Sequence, residues 1–382
     1  MSGDASECTA VILPPTALSF HQIAGLPIVQ RVALSALRGG FEAVVALAPG
    51  DGAALRAVFA RDPRTAAIPI ISDPQSAAIA TERVALIPSS CVVTAGALSQ
   101  VRQAPLNGAP VRFGRAEGGI VVGPRSLVGA GAAPAPAVAS LGGELCLPVA
   151  SADDAAAAER ALLATLGSPS DGPIARFDRA VSTRISRHLV RTPLRPNHIT
   201  TIGTLVGLTG AWGLAHGSYA WELTGALLFW LAVIIDGCDG EVARLKFLES
   251  RFGYLYDITT DNIVHAAIFA GMGIGLYRAD PTQPFLLLGG LLVGGLVAAT
   301  AATMTLLVPD PPGEQPPPRT ARGRWRRRLL RGFEALMNRD FAYLLLLLAV
   351  LGKLHWFLWG AAFGTYVYAG ALVLVYRWRD AD

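Results

Sequence analysis

The chain has 382 residues, 52% of them hydrophobic, and its mean hydropathy of +0.44 is too high for an ordinary soluble protein and points to several membrane spans. The formal net charge is only +4 and Lys246 and Lys353 are the two lysines, so where the arginines lie says more than the sum. Four scattered cysteines, Cys8, Cys91, Cys146 and Cys238, form no CxxC pair; neither a zinc site nor a disulfide framework follows, and free thiols in a reducing compartment are expected.

The length suits two domains. The opening MSGDASECTAVILPP has no basic stretch and no long apolar core, so no cleavable signal peptide is expected. Residues 1–168 read as a cytoplasmic α/β domain. Short apolar runs at 9–15, 42–49, 68–72, 83–88 and 144–150 suit buried strands. A helical pattern, LPIVQRVALSALRGG, lies between the first two and is stopped by Gly39-Gly40. A second helical stretch, GAALRAVFARDP, ends at Pro63. Strands alternating with helices imply a parallel sheet with crossovers. VRFGRAEGGIVVG (111–123) is placed as an inserted hairpin and GAGAAPAPAVAS (129–140) as a low-complexity loop.

An Ala-rich helix is expected over 151–168, then a hinge at 168–172. The juxtamembrane segment 169–196 contains IARFDRAVSTRISRHLV, with Phe177, Val181, Ile185 and Leu189 in one stripe and Arg176, Arg179, Arg184 and Arg187 off it. A basic amphipathic helix before a span reads as lying on the membrane surface; packing on the soluble domain is the alternative. Residues 197–382 then read as an all-α membrane domain of six spans, at about 198–217, 222–245, 254–277, 284–307, 338–352 and 355–376. Between the fourth and fifth lies a proline-rich spacer followed by eight arginines, Arg319 to Arg339. The loops of opposite sidedness hold only Arg278 and Lys353, with Glu222 beside them. The arginine loop, both termini and the N-terminal domain are therefore expected on the cytoplasmic side of a bacterial inner membrane.

Into this apolar context fall four carboxylates, in the order Asp236, Asp239, Asp257, Asp261. Each ionisable group at membrane depth costs at least about 2.5 kcal/mol, so four need a counter-charge. On helices, Asp236 and Asp239 share a face, and so do Asp257 and Asp261. Gly240, Ala243 and Gly253 carry almost no side chain and would let the two helices approach. Facing pairs would make an oxygen-rich cage of the kind Mg2+ and Mn2+ prefer.

The pattern D-x2-D-G-x2-A-R-x8-G-x3-D-x3-D, running from Asp236 to Asp261, resembles the signature of the CDP-alcohol phosphotransferase family at every fixed position. The resemblance covers roughly residues 172–378. It implies transfer of a phosphoryl-linked alcohol from a CDP-activated donor to an acceptor hydroxyl, with release of CMP and two divalent cations, Mg2+ or Mn2+, as cofactors. It implies Asp236, Asp239, Asp257 and Asp261 as metal ligands, Asp261 also as general base, and Gly240, Arg244 and Ser250 as contacts of the donor nucleotide. Pro196-Asn197-His198-Ile199-Thr200 resembles the family's P-N-x-x-T entry to its first membrane helix, so Asn197 and Thr200 would seat the cytidine end. Arg191, Arg195 and Arg251 are acceptor candidates by nearness in sequence alone. His265 is four residues after Asp261 and either orients it or packs. Expected partners are a CDP-linked lipid, CDP-diacylglycerol first, a hydroxyl acceptor such as a polyol phosphate, membrane lipids, and a second copy in a homodimer; no nucleic acid is expected.

The N-terminal order of strand, loop and Gly25-Leu26-Pro27-Ile28 resembles the opening of the sugar-nucleotidyltransferase fold. Pro14-Pro15-Thr16-Ala17 stands where that fold has its Gly-rich loop, and no lysine precedes Lys246. Proline has no backbone N–H for a phosphate cradle, and CVVTAG (91–96) lacks the acidic residue that would hold a metal. The domain is expected to be nucleotidyltransferase-like without cytidylyltransferase activity. The pairing of the two domains resembles bifunctional inositol-phosphate cytidylyltransferase and phosphotransferase proteins, which makes a soluble CDP-polyol donor the alternative. An ion transporter and an inactive scaffold are the readings from other classes. A transporter would need acidic residues along several spans, and these cluster on two.

Overall fold

A computed structural model of the protein describes residues 7–48, 50–106, 109–114, 118–129, 137–167, 173–306 and 340–377. The arginine-rich loop and its proline-rich spacer, the hinge at 168–172, the start of the fifth expected span and most of the low-complexity stretch lie outside them. The chain divides into two units, residues 1–167 with 245–247 and residues 168–244 with 248–382.

In the first unit, β1 (Thr9–Ile12) is buried along its whole length. It pairs in parallel with β4 (Ala43–Leu47) on one side and β6 (Arg83–Ile87) on the other, with Val11 opposite both Val45 and Leu86. Such a strand must be apolar on both faces, which is why TAVI shows no alternation. The seven-stranded sheet has the order β10-β8-β9-β6-β1-β4-β5. In it β5 is Ile70–Ile71, β8 Val111–Phe113, β9 Ile120–Pro124 and β10 Ala137–Ala139. β8 and β9 form the expected hairpin, and β9 runs antiparallel to β6. Two expectations are corrected. The end of the low-complexity stretch supplies an edge strand, β10, parallel to β8. The run at 144–150 does not enter the main sheet: β11 (Cys146–Pro148) pairs antiparallel with β7 (Cys91–Val93) in a separate ribbon. That ribbon brings Cys91 Sγ and Cys146 Sγ within 3.8 Å, although both remain thiols.

The loop after β1 is closed by side chains. It runs through β2 (Gln22–Ile23) and β3 (Leu26–Pro27), a small hairpin with Ala24 and Gly25 at φ 46° and 77°. Arg31, on α1 (Ile28–Arg38), is fully buried and donates through Nη2 to the carbonyls of Ile23 (3.0 Å) and Ala24 (3.1 Å). Burial pushes its guanidinium down to about 10, so it is still charged at neutral pH. Ala24 N donates to Glu159 Oε1 at 3.2 Å. Glu159 belongs to α4 (Ala152–Ala164), which follows α2 (Ala53–Phe59) and α3 (Ala95–Gln103). α4 starts where expected, with Ser151 accepting from Asp154 N at 3.1 Å as N-cap. α2 ends at Phe59, short of Pro63.

The second unit is helical. α5 (Pro173–Leu189) precedes six helices: α6 (Pro196–Leu214), α7 (Tyr219–Lys246), α8 (Arg251–Ala279), α9 (Phe285–Leu306), α10 (Asp340–Val350) and α11 (Leu354–Arg377). They stand where the six spans are expected. Among the described residues only α7 is long and apolar enough to cross a membrane by length and composition, with shorter apolar stretches at Phe285–Ala301 and Phe341–Val350.

Glycines set the helix spacing. A Cβ on Gly271 or Gly275 of α8 would collide with the carbonyl oxygens of Ala211 and Leu214 of α6. One on Gly210 would meet Gly225 O of α7 at 2.9 Å, and one on Gly273 the Gly289 Cα of α9 at 3.1 Å. Bare backbone lets helices touch where water cannot drive association.

α5 buries its polar face. Asp178, Ser182 and Ser186 are at most 1% exposed, whereas Phe177 is 54% and Ile185 36% exposed. Ser182 Oγ donates to Glu241 Oε1 of α7 at 2.6 Å, and Tyr343 OH of α10 donates to Asp178 Oδ1. Two of the four residues of the apolar stripe, Phe177 and Ile185, thus face outward while Val181 and Leu189 are half-buried, and serine and aspartate hold the helix to its own unit.

Candidate active site

α7 carries the first two aspartates in its last three turns. It ends where Phe247 takes a left-handed φ of 57° and Leu248 N donates to Ala243 O at 2.8 Å. α8 restarts at once, with Ser250 Oγ as N-cap accepting from Gly253 N at 3.0 Å. This tight return places the start of α8 beside the end of α7.

The carboxylates of Asp236, Asp257 and Asp261 each offer an oxygen within 4.8 Å of the others, and all three are partly buried. Carboxylates so close in a largely apolar bundle repel one another and call for a counter-charge. Oxygen donors from two rigid helices suit a hard divalent cation. The residues therefore fit a metal ion. Asp239 stands apart from this trio. It is 5% exposed, and its Oδ2 accepts from Thr200 Oγ1 of α6.

Two cavities flank the aspartates. One, of ≈ 180 Å3, is lined by Thr200, Gly203, Thr204, Phe229, Ala232, Val233, Asp236, Asp261, Val264, His265 and Phe341. The other, of ≈ 240 Å3, is lined by Pro196, Asn197, Thr200, Asp239, Gly240, Ala243, Arg244, Leu248, Glu249, Ser250, Gly253, Tyr254 and Asp257. The four aspartates are thus shared out, Asp236 and Asp261 to the first and Asp239 and Asp257 to the second, with Thr200 on both walls.

All five residues expected at the donor nucleotide, Asn197, Thr200, Gly240, Arg244 and Ser250, line the second cavity. A Cβ on Gly240 would sit in ordinary contact with Arg244 Nη1, at 3.5 Å. One on Gly253 would meet Asn197 Oδ1 at 3.3 Å. Arg191, Arg195 and Arg251 are exposed and line neither cavity. His265 makes no hydrogen bond to Asp261; its ring lies among Phe229, Phe269 and Phe341, with centroids 5.3–6.4 Å apart. Asn262, next to Asp261, accepts from Thr300 Oγ1 at 2.6 Å and donates to Ile258 O at 2.7 Å.

Sequence reasoning missed as cavity walls Thr204 and Phe229, which lie one and two turns from Thr200 and Asp236 on the same helices, and Phe341, which comes from α10, remote in the chain. It also missed Glu241, 1% exposed and held by Ser182. A glutamate beside the motif's Gly240 in an apolar run was the available signal.

Residues 194–330 match the family CDP-alcohol phosphatidyltransferase. A "Bifunctional IPC transferase and DIPP synthase" of Rubrobacter xylanophilus is 35% identical over 118 residues, 31% of this chain and 26% of the relative. One of the same name from Archaeoglobus fulgidus is 33% identical over 153 residues, 40% of this chain and 30% of the relative. A "Phosphatidylinositol phosphate synthase" of Mycobacterium tuberculosis is 35% identical over 92 residues, 24% of this chain and 42% of the relative. The alignments thus span less than half of each of these relatives. Together with the aspartate trio and the two cavities, the match establishes that the C-terminal part of this chain contains a CDP-alcohol phosphatidyltransferase domain.

Proposed function

We propose that this chain is an integral-membrane CDP-alcohol phosphotransferase that moves a phosphatidyl group from CDP-diacylglycerol to the hydroxyl of a polyol or polyol phosphate and releases CMP. One observation carries the reading: the aspartates lie between two cavities, one bearing the donor-motif residues and the other bearing Asp261. A two-substrate displacement needs its nucleophile and its leaving group on opposite sides of the reacting phosphorus.

Asp236, Asp257 and Asp261 are the proposed ligands of a divalent cation, Mg2+ or Mn2+, and Asp239 the fourth ligand for a second one. When bound, such cations neutralise the pyrophosphate and polarise the phosphorus. Arg244 takes a phosphate oxygen by paired N–H donors, with Asn197, Thr200, Gly240 and Ser250 around the nucleotide. Asp261 accepts the proton of the acceptor hydroxyl. The acceptor oxygen bonds to the phosphorus that carries the lipid, the bond from that phosphorus to the CMP oxygen breaks, and CMP leaves with the electron pair.

Membrane integration rests on the outer surface of the helical unit. Of the exposed large apolar side chains among the described residues, only Leu37 and Val138 belong to the first unit; the rest, including Trp212, Leu287, Leu347 and Phe363, belong to the helical unit. α5 would rest at the interface with Phe177 and Ile185 toward lipid. Both termini and the site belong on the cytoplasmic side of a bacterial inner membrane in this reading, and a homodimer through the membrane helices is part of it. The first unit is proposed to be nucleotidyltransferase-like and inactive as a cytidylyltransferase, because Pro14 and Pro15 stand where the Gly-rich loop would be, no lysine precedes Lys246 and the stretch 91–96 lacks an acidic residue.

The names of two relatives favour a second reading, in which a soluble CDP-polyol is the donor. The test is CMP release in membranes, with and without Mg2+, offering CDP-diacylglycerol or CDP-inositol with a panel of acceptors. Mg2+-dependent release from CDP-diacylglycerol that is lost in Asp261→Asn supports the first reading, and release from CDP-inositol alone supports the second. Release from neither donor ends both.

A further inference from the structure

We propose that His265 is an acceptor-binding residue, its imidazole holding a hydroxyl of the acceptor in the cavity shared with Asp236 and Asp261. The inference rests on the phosphotransferase reading and assigns one of its contacts.

His265 sits one turn beyond Asp261 on α8 and lines the same cavity. Phe229 and Phe341, from α7 and α10, meet the ring at tilted or edge-on angles of 77° and 57°, while Phe269 stacks on it at 19°. Three rings from three helices fix the plane of the imidazole. None of the described residues hydrogen-bonds either ring nitrogen, although a neutral imidazole carries one donor and one acceptor. The three rings hold the imidazole while it stays partly exposed on the wall of the cavity, so a hydroxyl that enters the cavity can pair with it.

The cavity indicates what that ligand is. Its polar groups are Thr200, Thr204, Asp236, Asp261 and His265, and no lysine or arginine lines it. A nucleotide's phosphates would find no arginine or lysine side chain there, whereas the other cavity holds Arg244. Hydroxyls suit the first cavity, each able to give a proton to a carboxylate and share one with an imidazole. The acceptor hydroxyl that reacts belongs at Asp261, so a neighbouring hydroxyl of the same molecule falls to His265.

The experiment uses the full chain in nanodiscs with CDP-diacylglycerol and either inositol phosphate or glycerol phosphate as acceptor probe, comparing wild type with His265→Phe and His265→Gln. Phenylalanine suits the aromatic surroundings and removes both nitrogens; glutamine restores a donor and an acceptor. The expected result is an acceptor KM raised about tenfold in His265→Phe, largely recovered in His265→Gln, with the KM for CDP-diacylglycerol and the Mn2+ affinity within about twofold of wild type. An unchanged acceptor KM in an active His265→Phe enzyme overturns the proposal and leaves the phosphotransferase reading intact. A loss that falls equally on donor KM or on Mn2+ affinity assigns His265 to packing and also overturns it. Wild-type protein that releases no CMP with either probe removes the proposal together with the polyol reading.

Discussion

Thr200 on α6 donates its hydroxyl to Asp239 on α7, and Asp239 is the one motif aspartate that stands outside the trio. If this bond holds Asp239 ready as ligand of a second ion, Mn2+ titration should find two ions per wild-type chain and one in Asp239→Asn. Thr200→Val should cost about 1.5–3 kcal/mol, the range for a hydrogen bond to a charged group, and Thr200→Ser should recover most of it. Two ions in Asp239→Asn would show that the fourth aspartate is not a ligand.

In the proposed mechanism the trio carries the reaction. Asp261→Asn keeps the shape and removes the base, and should lower kcat by about 100- to 10,000-fold. All three Asp→Asn changes should weaken Mn2+ binding, but high metal concentration should partly restore activity only in Asp236→Asn and Asp257→Asn, which keep the base. EDTA should abolish CMP release from the wild type and added Mn2+ restore it. Full activity in EDTA would exclude the metal-dependent mechanism.

Helix contact at bare backbone is readily tested. Gly275→Ala puts a methyl against Leu214 O and Gly271→Ala one against Ala211 O. Each should destabilise the helical unit by about 1–3 kcal/mol through overpacking, seen as a lower unfolding midpoint in detergent. Gly290→Ala, where a Cβ meets nothing within 4 Å, is the control and should be neutral.

The attachment of α5 depends on Ser182 and Glu241. Ser182→Ala leaves a buried carboxylate oxygen without its 2.6 Å donor and should cost about 1.5–3 kcal/mol. Faster amide exchange confined to residues 173–189 would report it. Phe177→Ser changes an outward-facing residue; it should leave that exchange unchanged and weaken the helix's protection by lipid.

In the first unit, the hydrogen-bonded Arg64 guanidinium holds the Asp62 carboxyl below the usual range, against a smaller opposing effect of burial. A depressed carboxyl contributes stability that is complete above the unfolded value of about 4. That stability is lost as pH falls through the folded one. Arg64 is 34% exposed, so solvent screening keeps the contribution under about 1 kcal/mol. Asp62→Asn should lower the unit's stability by that amount above about pH 4 and leave it unchanged at pH values below the folded one, where the wild type has already lost the contribution.

Much of this was legible in the residues themselves. Spacing of three and four put the aspartates of each helix on one face, and no tertiary contact was needed to see that four carboxylates in apolar sequence require a counter-charge. Parallel strands buried on both faces announced themselves as runs without alternation, as at Thr9–Ile12. The donor-motif residues could be named because each is local to the α6 start or the α7–α8 return.

What the chain alone left undecided is how those faces meet. Hydrogen-bond donors and methyl-sized gaps are contributed by helices far apart in sequence. Only packing could set Asp239 against Thr200, turn the polar side of α5 inward toward Glu241, or press backbone against Gly271 and Gly275. The same packing drew Arg191, Arg195 and Arg251 away from the cavities and walled His265 in with three phenyl rings. Periodicity tells which residues share a face; the partner of that face is chosen by the fit of side-chain volumes and by the pairing of buried polar groups, both of which exist only once the helices are assembled.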